Sequence, residues 1–459
     1  MKNKKNLCLS LLSTVLLLSV PMHASEDTTP KKYKEWKVRP FVFSSDINVT
    51  ESKDWIIAPF AFYTETTDFF VGVGAIKEGL FQPQTTLAAL LFRGREQNVR
   101  INGREQKKNF SGGILSFSDL KLPYTERSFF SFVGLKSYFP KMKHYIFGSN
   151  DSKKSDVIKS AGDANYFNTT FKYVLPLGEG LENPAGICSL QDGFALGRHA
   201  CGGGTPLLTG RTALGIKTFY QYENSENTLL WRDPIWWKHG TSLPTWNTNG
   251  LRVFLTHDNT DFNLNSSRGY QFELKYSRDF GWGDSLQSWD ALSVKYNRYF
   301  NLDTFSFTKQ NVLALSVWSA YSFSWENSKE VAPGINAHRP PTWEGARLGG
   351  LNRMRAYDQN RFSDKAAFYA TTEYRAIIDY NPFKSYDTVN VPIEWFQIVG
   401  FIEAGRVHDQ YNFDLLSDMK YDVGVSLRAM VVELPIRFDV AYGTEGVNMW
   451  LMVNQPFDF

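Results

Sequence analysis

Between residues 422 and 429 apolar and polar side chains alternate one for one. Val423, Val425, Leu427 and Ala429 fall on one face of an extended chain; Asp422, Gly424, Ser426 and Arg428 fall on the other. Residues 367–378 repeat the pattern, with Phe368, Ala370, Tyr374 and Ala376 set against Tyr369, Thr371, Glu373 and Arg375. A period of two marks a β-strand with one face in an apolar medium. Sixteen strand-like segments recur along the chain: 56–64, 69–77, 85–93, 110–121, 127–139, 166–177, 211–224, 250–258, 268–280, 288–300, 311–325, 367–378, 395–407, 420–432, 436–443 and 448–457. Helical periodicity is nearly absent, and no linker or low-complexity stretch interrupts the texture from about Trp55 onward. An even number of alternating segments predicts an all-β fold, a sixteen-stranded antiparallel transmembrane barrel. A charge on the lipid face costs about 2–4 kcal/mol at mid-depth, so the charged face is read as the lumen face.

The last segment is read backwards from Phe459. Phe457, Gln455, Val453, Leu451 and Met449 share one face, and an aromatic closes the chain. Val453, Phe457 and Phe459 are therefore expected to form the C-terminal strand signal of a barrel in the bacterial outer membrane. Pro456 removes a ladder donor there; it either weakens closure of the barrel or ends the strand.

The N-terminus fixes the compartment. Lys2, Lys4 and Lys5 precede an apolar run at 7–20, and Met22-His23-Ala24 offers a cleavage site before Ser25, so residues 1–24 read as a signal peptide. The run is shorter than the roughly 20 apolar residues of a spanning helix. Residues 25–54 are expected to be a short periplasmic segment with one strand-like run at 38–44, and residues 55–459 the barrel. An independent domain below about 40 residues needs staples. The exported chain keeps Cys188 and Cys201, a candidate loop disulfide in a Gly-rich segment, the alternative being two free thiols. Only His199 stands near them, short of a zinc ligand set, and neither metal nor cofactor is expected.

Composition agrees with this class. Aromatics make up 15% of residues, with 36 Phe, 22 Tyr and 13 Trp, while hydrophobics reach only 42% because strands alternate apolar with polar. The net charge of +3 is spread along the chain, without the basic block that nucleic-acid binding requires. A Gly-x-Ser-x-Gly elbow and an HExxH pair are absent, and His257 beside Asp258 on one strand points to the opposite face, so no enzyme is expected. Trp231, Trp236, Trp237 and Trp246 either bind sugar or a partner, or belong to the interfacial girdle or a loop core; belts expected at both rims favour the second.

Loop lengths set a topology. Segments 140–165, 225–248 and 326–366 are long and read as extracellular; 122–126 and 433–435 are short and read as periplasmic. Segment 178–210 breaks the rule: either the strand count is off by one, or the barrel carries a periplasmic insertion.

Against this frame of strands, Leu348-Gly349-Gly350-Leu351-Asn352-Arg353-Met354-Arg355-Ala356-Tyr357, running on to Asn360-Arg361-Phe362, resembles the sixth extracellular loop of the outer-membrane assembly and bacterial surface-antigen superfamily, which includes the BamA-like insertases, the TamA-like proteins and the two-partner secretion transporters. Ala356 stands where the family has glycine. Phe401-Ile402-Glu403-Ala404-Gly405-Arg406 is similar to the family's strand-thirteen motif, with Glu for Asp. Gly424-Val425-Ser426-Leu427-Arg428 resembles the strand-fourteen motif, with Ser for the second Gly. Asp258-Asn259-Thr260-Asp261 followed by Arg268-Gly269 resembles a further signature, with Thr260 for Arg and Ser266 for Pro.

The resemblance implies that the loop folds into the lumen and that Arg355, flanked by Arg353, Ala356 and Tyr357, meets Glu403 on a wall that also presents Phe401, Gly405, Gly424 and Arg428. A guanidinium in a narrow lumen needs such a bidentate partner. The inward charges Glu373, Arg375, Glu403 and Arg428 either brace the wall or serve transport. Family members carry periplasmic POTRA domains, and this chain reads as a POTRA-less member, with a separate periplasmic partner a further expectation. The implied function is moving or inserting protein or lipid at the outer membrane, past a weak seam between first and last strands; the alternative is a plugged channel or small-molecule transporter. Outer-membrane lipid and, during biogenesis, the barrel assembly machinery are the expected partners.

Overall fold

The computed structural model describes residues 55–457 except 65, 146–147, 188–189, 192, 196–201, 206–207, 228–244, 286–287, 326–337, 342, 384–392 and 432–433. The expected signal peptide and 25–54 segment, Cys188, Cys201, His199, Trp231, Trp236, Trp237 and Phe459 lie outside the described residues.

Sixteen antiparallel strands close into one barrel. They are β1 (Ile56–Thr64), β2 (Asp68–Glu78), β3 (Thr86–Ile101), β4 (Arg104–Lys121), β5 (Ser128–Tyr145), β6 (Val157–Val174), β7 (Arg211–Ser225), β8 (Thr245–Asp258), β9 (Gly269–Asp279), β10 (Trp289–Leu302), β11 (Thr308–Tyr321), β12 (Ala366–Ile378), β13 (Ile393–His408), β14 (Lys420–Val431), β15 (Leu434–Gly443) and β16 (Gly446–Val453). Each pairs with its chain neighbour, so the connections alternate between the two ends. The β11–β12 connection at 322–365 and segment 175–210 fall at opposite ends. The strand count is therefore not off by one, and the long 178–210 insertion is real.

The alternation holds in three dimensions. On β14, Val425 is 60% exposed while Asp422, Ser426 and Arg428 are buried; on β13, Ile402 is 61% exposed while its neighbours Phe401 and Glu403 are buried. Exposed aromatics gather at both rims: Phe81, Tyr124, Phe305, Phe307 and Tyr380 at one end, and Phe280, Trp282 and Phe413 at the other. Trp246 does not join them. It is buried and packs edge-on to Trp343 of the β11–β12 connection at 6.3 Å.

Several strand boundaries differ from the sequence reading: β5 runs on to Tyr145 and β6 starts at Val157, so the expected 140–165 loop shortens to 146–156, and two further differences change the architecture. Residues 94–109 are not a connection, because β3 and β4 run on to a two-residue turn at Asn102 (φ 48°) and Gly103 (φ 80°). Positive φ at both positions is what a type I′ hairpin needs, and Asn-Gly supplies it. β3 to β6 thus reach 16–18 residues, against the roughly 9–11 that span a bilayer, and they project from the end that bears the β11–β12 connection.

The second difference is at the C-terminus. β16 stops at Val453. Asn454 at φ 75° turns the chain out of the ladder, and Gln455 and Phe457 fold inward. The Phe457 carbonyl accepts from Lys295 at 3.2 Å and Asn297 at 3.4 Å on β10, its ring packs on Tyr299, and the Arg375 guanidinium lies 4.8 Å from the ring centroid. Inside, the Phe457 carbonyl answers two inward donors and its ring covers a guanidinium, contacts that the lipid face cannot offer. Pro456 consequently lies outside the ladder and weakens no strand pairing.

Closure is uneven. β1 pairs with β2 at nine positions and β15 with β16 at eight, but β1 meets β16 at one, Tyr63 opposite Leu451.

Candidate functional site

A short hairpin, Ala346–Leu348 paired with Phe362–Asp364, carries the tip at 349–361. Met354 at φ 57° sets the bend from which Arg355 projects. Arg355 is fully buried among inward-facing side chains of four consecutive strands. It donates from Nη2 to Glu373 (β12) at 2.8 Å, and from Nε and its backbone N–H to Glu403 (β13) at 3.2 and 2.6 Å. Its Nη1 lies 3.5 Å from Asp439 (β15). The guanidinium lies 3.4 Å from the Phe401 ring centroid, and its backbone carbonyl accepts from Trp450 of β16 at 2.7 Å.

The surrounding wall is a charge lattice. Glu373 also accepts from Arg375 at 2.8 Å and from Arg428 at 3.0 Å; Arg437 bonds Asp439; Tyr369 donates to Glu403 at 2.5 Å. Ala356 N–H donates to Asp422 at 3.3 Å. Four guanidiniums (Arg355, Arg375, Arg428, Arg437) meet four carboxyl groups (Glu373, Glu403, Asp422, Asp439), all buried. Dry charges persist only when they are paired, as these are, although Arg355 Nη1, Arg375 Nη2, Arg437 Nε, Asp422 Oδ1 and Asp439 Oδ1 lack a hydrogen bond among the described residues.

Glycines shape the seat. A Cβ at Gly405 would stand 2.8 Å from Leu348 and 3.3 Å from Met354, so the hairpin packs against bare backbone. A Cβ at Gly424 would meet the Phe401 ring at 2.2 Å, so Phe401 lies flat there, beneath Arg355. Ala356 needs no glycine: its φ is not positive, and Gly443 opposite gives way, a Cβ there falling 3.0 Å from that of Ala356. The methyl group is accommodated by a glycine on the facing strand.

The tip also reaches the far wall. Asp358 accepts from Lys143 at 3.0 Å and from the Tyr145 hydroxyl, both on β5, while Arg361 bonds Glu445 at 3.0 Å and the Ser152 carbonyl at 2.6 Å. Tyr357 donates to the Tyr421 carbonyl at 3.1 Å. Arg353 points elsewhere, stacking 3.8 Å over Trp318.

At the other end the 175–210 segment crosses the barrel. Its hairpin, Leu190–Gln191 with Phe194–Ala195, packs Phe194 and Ala195 on a cluster of Ile377, Trp395, Met430 and Phe262. Trp395 donates to the Gly193 carbonyl at 3.3 Å. The 259–268 turn fastens it: Gly203 N–H donates to the Asn259 carbonyl at 2.8 Å, and Thr209 to the Asn259 side chain at 2.7 Å. Gly269 at φ 93° holds this turn, since a Cβ there would fall 1.9 Å from the Asn259 carbonyl.

The structure thus brings together Arg355, Ala356, Tyr357, Phe401, Glu403, Gly405, Gly424 and Arg428. It sets Arg353 apart and puts Val453 at the last ladder pair. Sequence reasoning missed Asp439, Trp450 and the Asp358 anchor. Inward parity along β15 could have exposed Asp439; nothing local marks Asp358. Among the described residues no cluster of three or more His, Cys, Asp or Glu is placed to hold a metal.

No curated protein matches the sequence. Among solved structures, CdiB from Escherichia coli is similar over 90% of this chain and 66% of its own, with a TM-score of 0.53 and 11% identity. BamA from Haemophilus ducreyi lacking POTRA domains 1–3 is similar over 87% and 70%, at 0.45 and 12%. CdiB from Acinetobacter baumannii follows over 87% and 59%, at 0.47 and 9%. The chain therefore spans some two thirds of these structures. The Omp85 superfamily domain matches residues 204–449, more than half of the chain. Its barrel, its charge-clamped tip and this match agree: the chain belongs to the Omp85 superfamily and is an outer-membrane β-barrel.

Proposed function

We propose that this barrel moves or inserts protein or lipid at the outer membrane by parting its β1–β16 seam, with the 346–364 hairpin as a lumen plug held by Arg355 on the extracellular side and no enzymatic step. The observation that carries the reading is the single ladder pair at the seam. One pair exchanges at most two backbone bonds, each worth about 0.5–1.5 kcal/mol net, so about 1–3 kcal/mol of backbone pairing resists parting. Opening elsewhere breaks many pairs, and unsatisfied backbone groups are costlier still in lipid. The charge lattice of β12–β15 keeps the rest of the wall rigid while the seam moves. A separate periplasmic partner belongs to the same reading.

The test is a lock. In a Cys188→Ser/Cys201→Ser background, cysteines at Tyr63 and Leu451 would be oxidised across the seam. Lipid exchange and insertion of an unfolded outer-membrane protein would then be measured in proteoliposomes. Loss of either activity on oxidation, restored by reductant, is expected. Activity indifferent to the lock would sink the seam reading. A steady conductance unaffected by the lock would favour the alternative, a plugged channel or small-molecule transporter.

A further inference from the structure

The inner wall of β1 to β5 breaks the barrel rule. Lumen faces are polar, yet here six phenylalanines point inward and touch in series. Phe60 and Phe62 lie 5.1 Å apart, Phe62 and Phe70 5.7 Å, Phe70 and Phe110 4.9 Å, Phe92 and Phe110 4.9 Å, and Phe110 and Phe139 4.9 Å. Glycines hold the rings down: a Cβ at Gly72 would fall 2.3 Å from Phe60, and one at Gly112 would fall 2.9 Å from Phe92. The outward faces of the same strands are apolar too, with Leu91 65% exposed. These strands are thus greasy on both sides.

The aromatic wall borders a cavity of about 1080 Å³ that runs from the seam strands to β11 and is covered by the β11–β12 connection. That is just above the roughly 300–1,000 Å³ of ligand pockets. Its opposite wall is cationic. Seven Lys and Arg side chains line the cavity against four carboxylates; of the seven, Lys143 stands on β5 and is answered by Asp358. Lys217 and Arg252 stand directly opposite each other across β7 and β8, where like charges repel. Arg252 is answered by Glu344 at 2.8 Å and Lys275 by Glu273 at 2.9 Å. The Lys217 side chain has neither hydrogen bond nor ion pair among the described residues. An apolar wall facing a surplus of positive charge across one chamber matches a molecule with a hydrocarbon chain and an anionic head.

We infer that the lumen chamber binds an anionic acyl amphiphile, its chain laid on the Phe60–Phe139 wall and its head beside Lys217 and Arg252. The site does not depend on seam opening, because binding needs only the closed chamber. Burying hydrocarbon is worth about 0.8 kcal/mol per methylene, and a phosphate head supplies the counter-anion that Lys217 lacks.

The test uses the full-length mature barrel in amphipol, incubated with palmitoyl lysophosphatidic acid, palmitoyl lysophosphatidylcholine or inorganic phosphate, and read by native mass spectrometry. One saturable lysophosphatidic acid per barrel is expected, at least tenfold tighter than the zwitterionic analogue, with no phosphate adduct. Lys217→Met should remove that tenfold preference and leave the lysophosphatidylcholine adduct unchanged. Phe110→Glu should lose both lipids, with folding checked by gel mobility before and after heating. Equal occupancy of the two lipids, unmoved by either variant, would mean annular lipid and overturn the inference. Absence of saturable binding, as when the chain's own N-terminal residues cover the wall, would overturn it equally.

Discussion

Removing Arg355 should cost more than neutralising Glu403, one of its three carboxylate partners. In Arg355→Ala, Glu373 keeps Arg375 at 2.8 Å and Arg428 at 3.0 Å, and Asp439 keeps Arg437. Glu403 loses its cation and retains the Tyr369 hydroxyl, the residue 355 backbone N–H and its cross-strand contact with the Asp422 carboxyl. One fully buried carboxylate is left uncompensated, a loss of about 3–5 kcal/mol. Glu403→Gln is milder, because Arg355 still holds Glu373 and Asp439; the cost is one charged hydrogen bond and its desolvation, about 1–3 kcal/mol. The double variant Arg355→Met/Glu403→Gln removes both charges and should be more stable than Arg355→Met alone. Urea titration of the folded barrel in micelles, followed by gel mobility without heating, gives the ordering. If Glu403→Gln lowers the midpoint as much as Arg355→Ala, or the double variant is the least stable, the clamp is not built on that pair.

Three further outcomes follow from local geometry. Gly405→Val should displace the hairpin, raising protease cleavage at its tip, whereas Gly400→Ala should be silent, since no atom lies within 4 Å of the added Cβ. Gly103→Val forces a β-branched residue to φ 80° and should cost about 1–2 kcal/mol, read as faster hydrogen exchange confined to the β3–β4 hairpin. Phe457→Ala should lower the urea midpoint by the equivalent of about 3–5 kcal/mol, the usual cost of emptying a buried aromatic site; a change near zero would mean that the inward tail contributes no packing.

What could be read from the sequence depended on whether each face had one character. β12 and β14 alternate cleanly, so their inward residues, Glu373, Arg375 and Arg428 among them, were legible from parity. The β3–β4 extension was hidden because Arg93 to Lys108 is charged on both faces, which erases the period of two although Asn102-Gly103 marks the hairpin. The aromatic wall was hidden for the opposite reason: Phe92 faces inward and Leu91 outward, and both are apolar. Phe457 continues the β16 alternation in sequence, yet Asn454 at positive φ takes it off the strand. The pairing of Arg355 with Glu403 followed from motif and parity together. Its contacts with Glu373 and Asp439 depend on how far the hairpin reaches, which no local pattern encodes.

The central claim is a barrel rigid around its charge lattice and loose at one seam. Hydrogen–deuterium exchange of the barrel in lipid nanodiscs, resolved by strand, tests it most directly. Amides of β1 and β16 should exchange like open sheet edges while β12 to β14, paired on both sides, stay protected. Equal protection of β1, β16 and β13 would contradict the account, because a seam held as firmly as the rest of the wall has no reason to part.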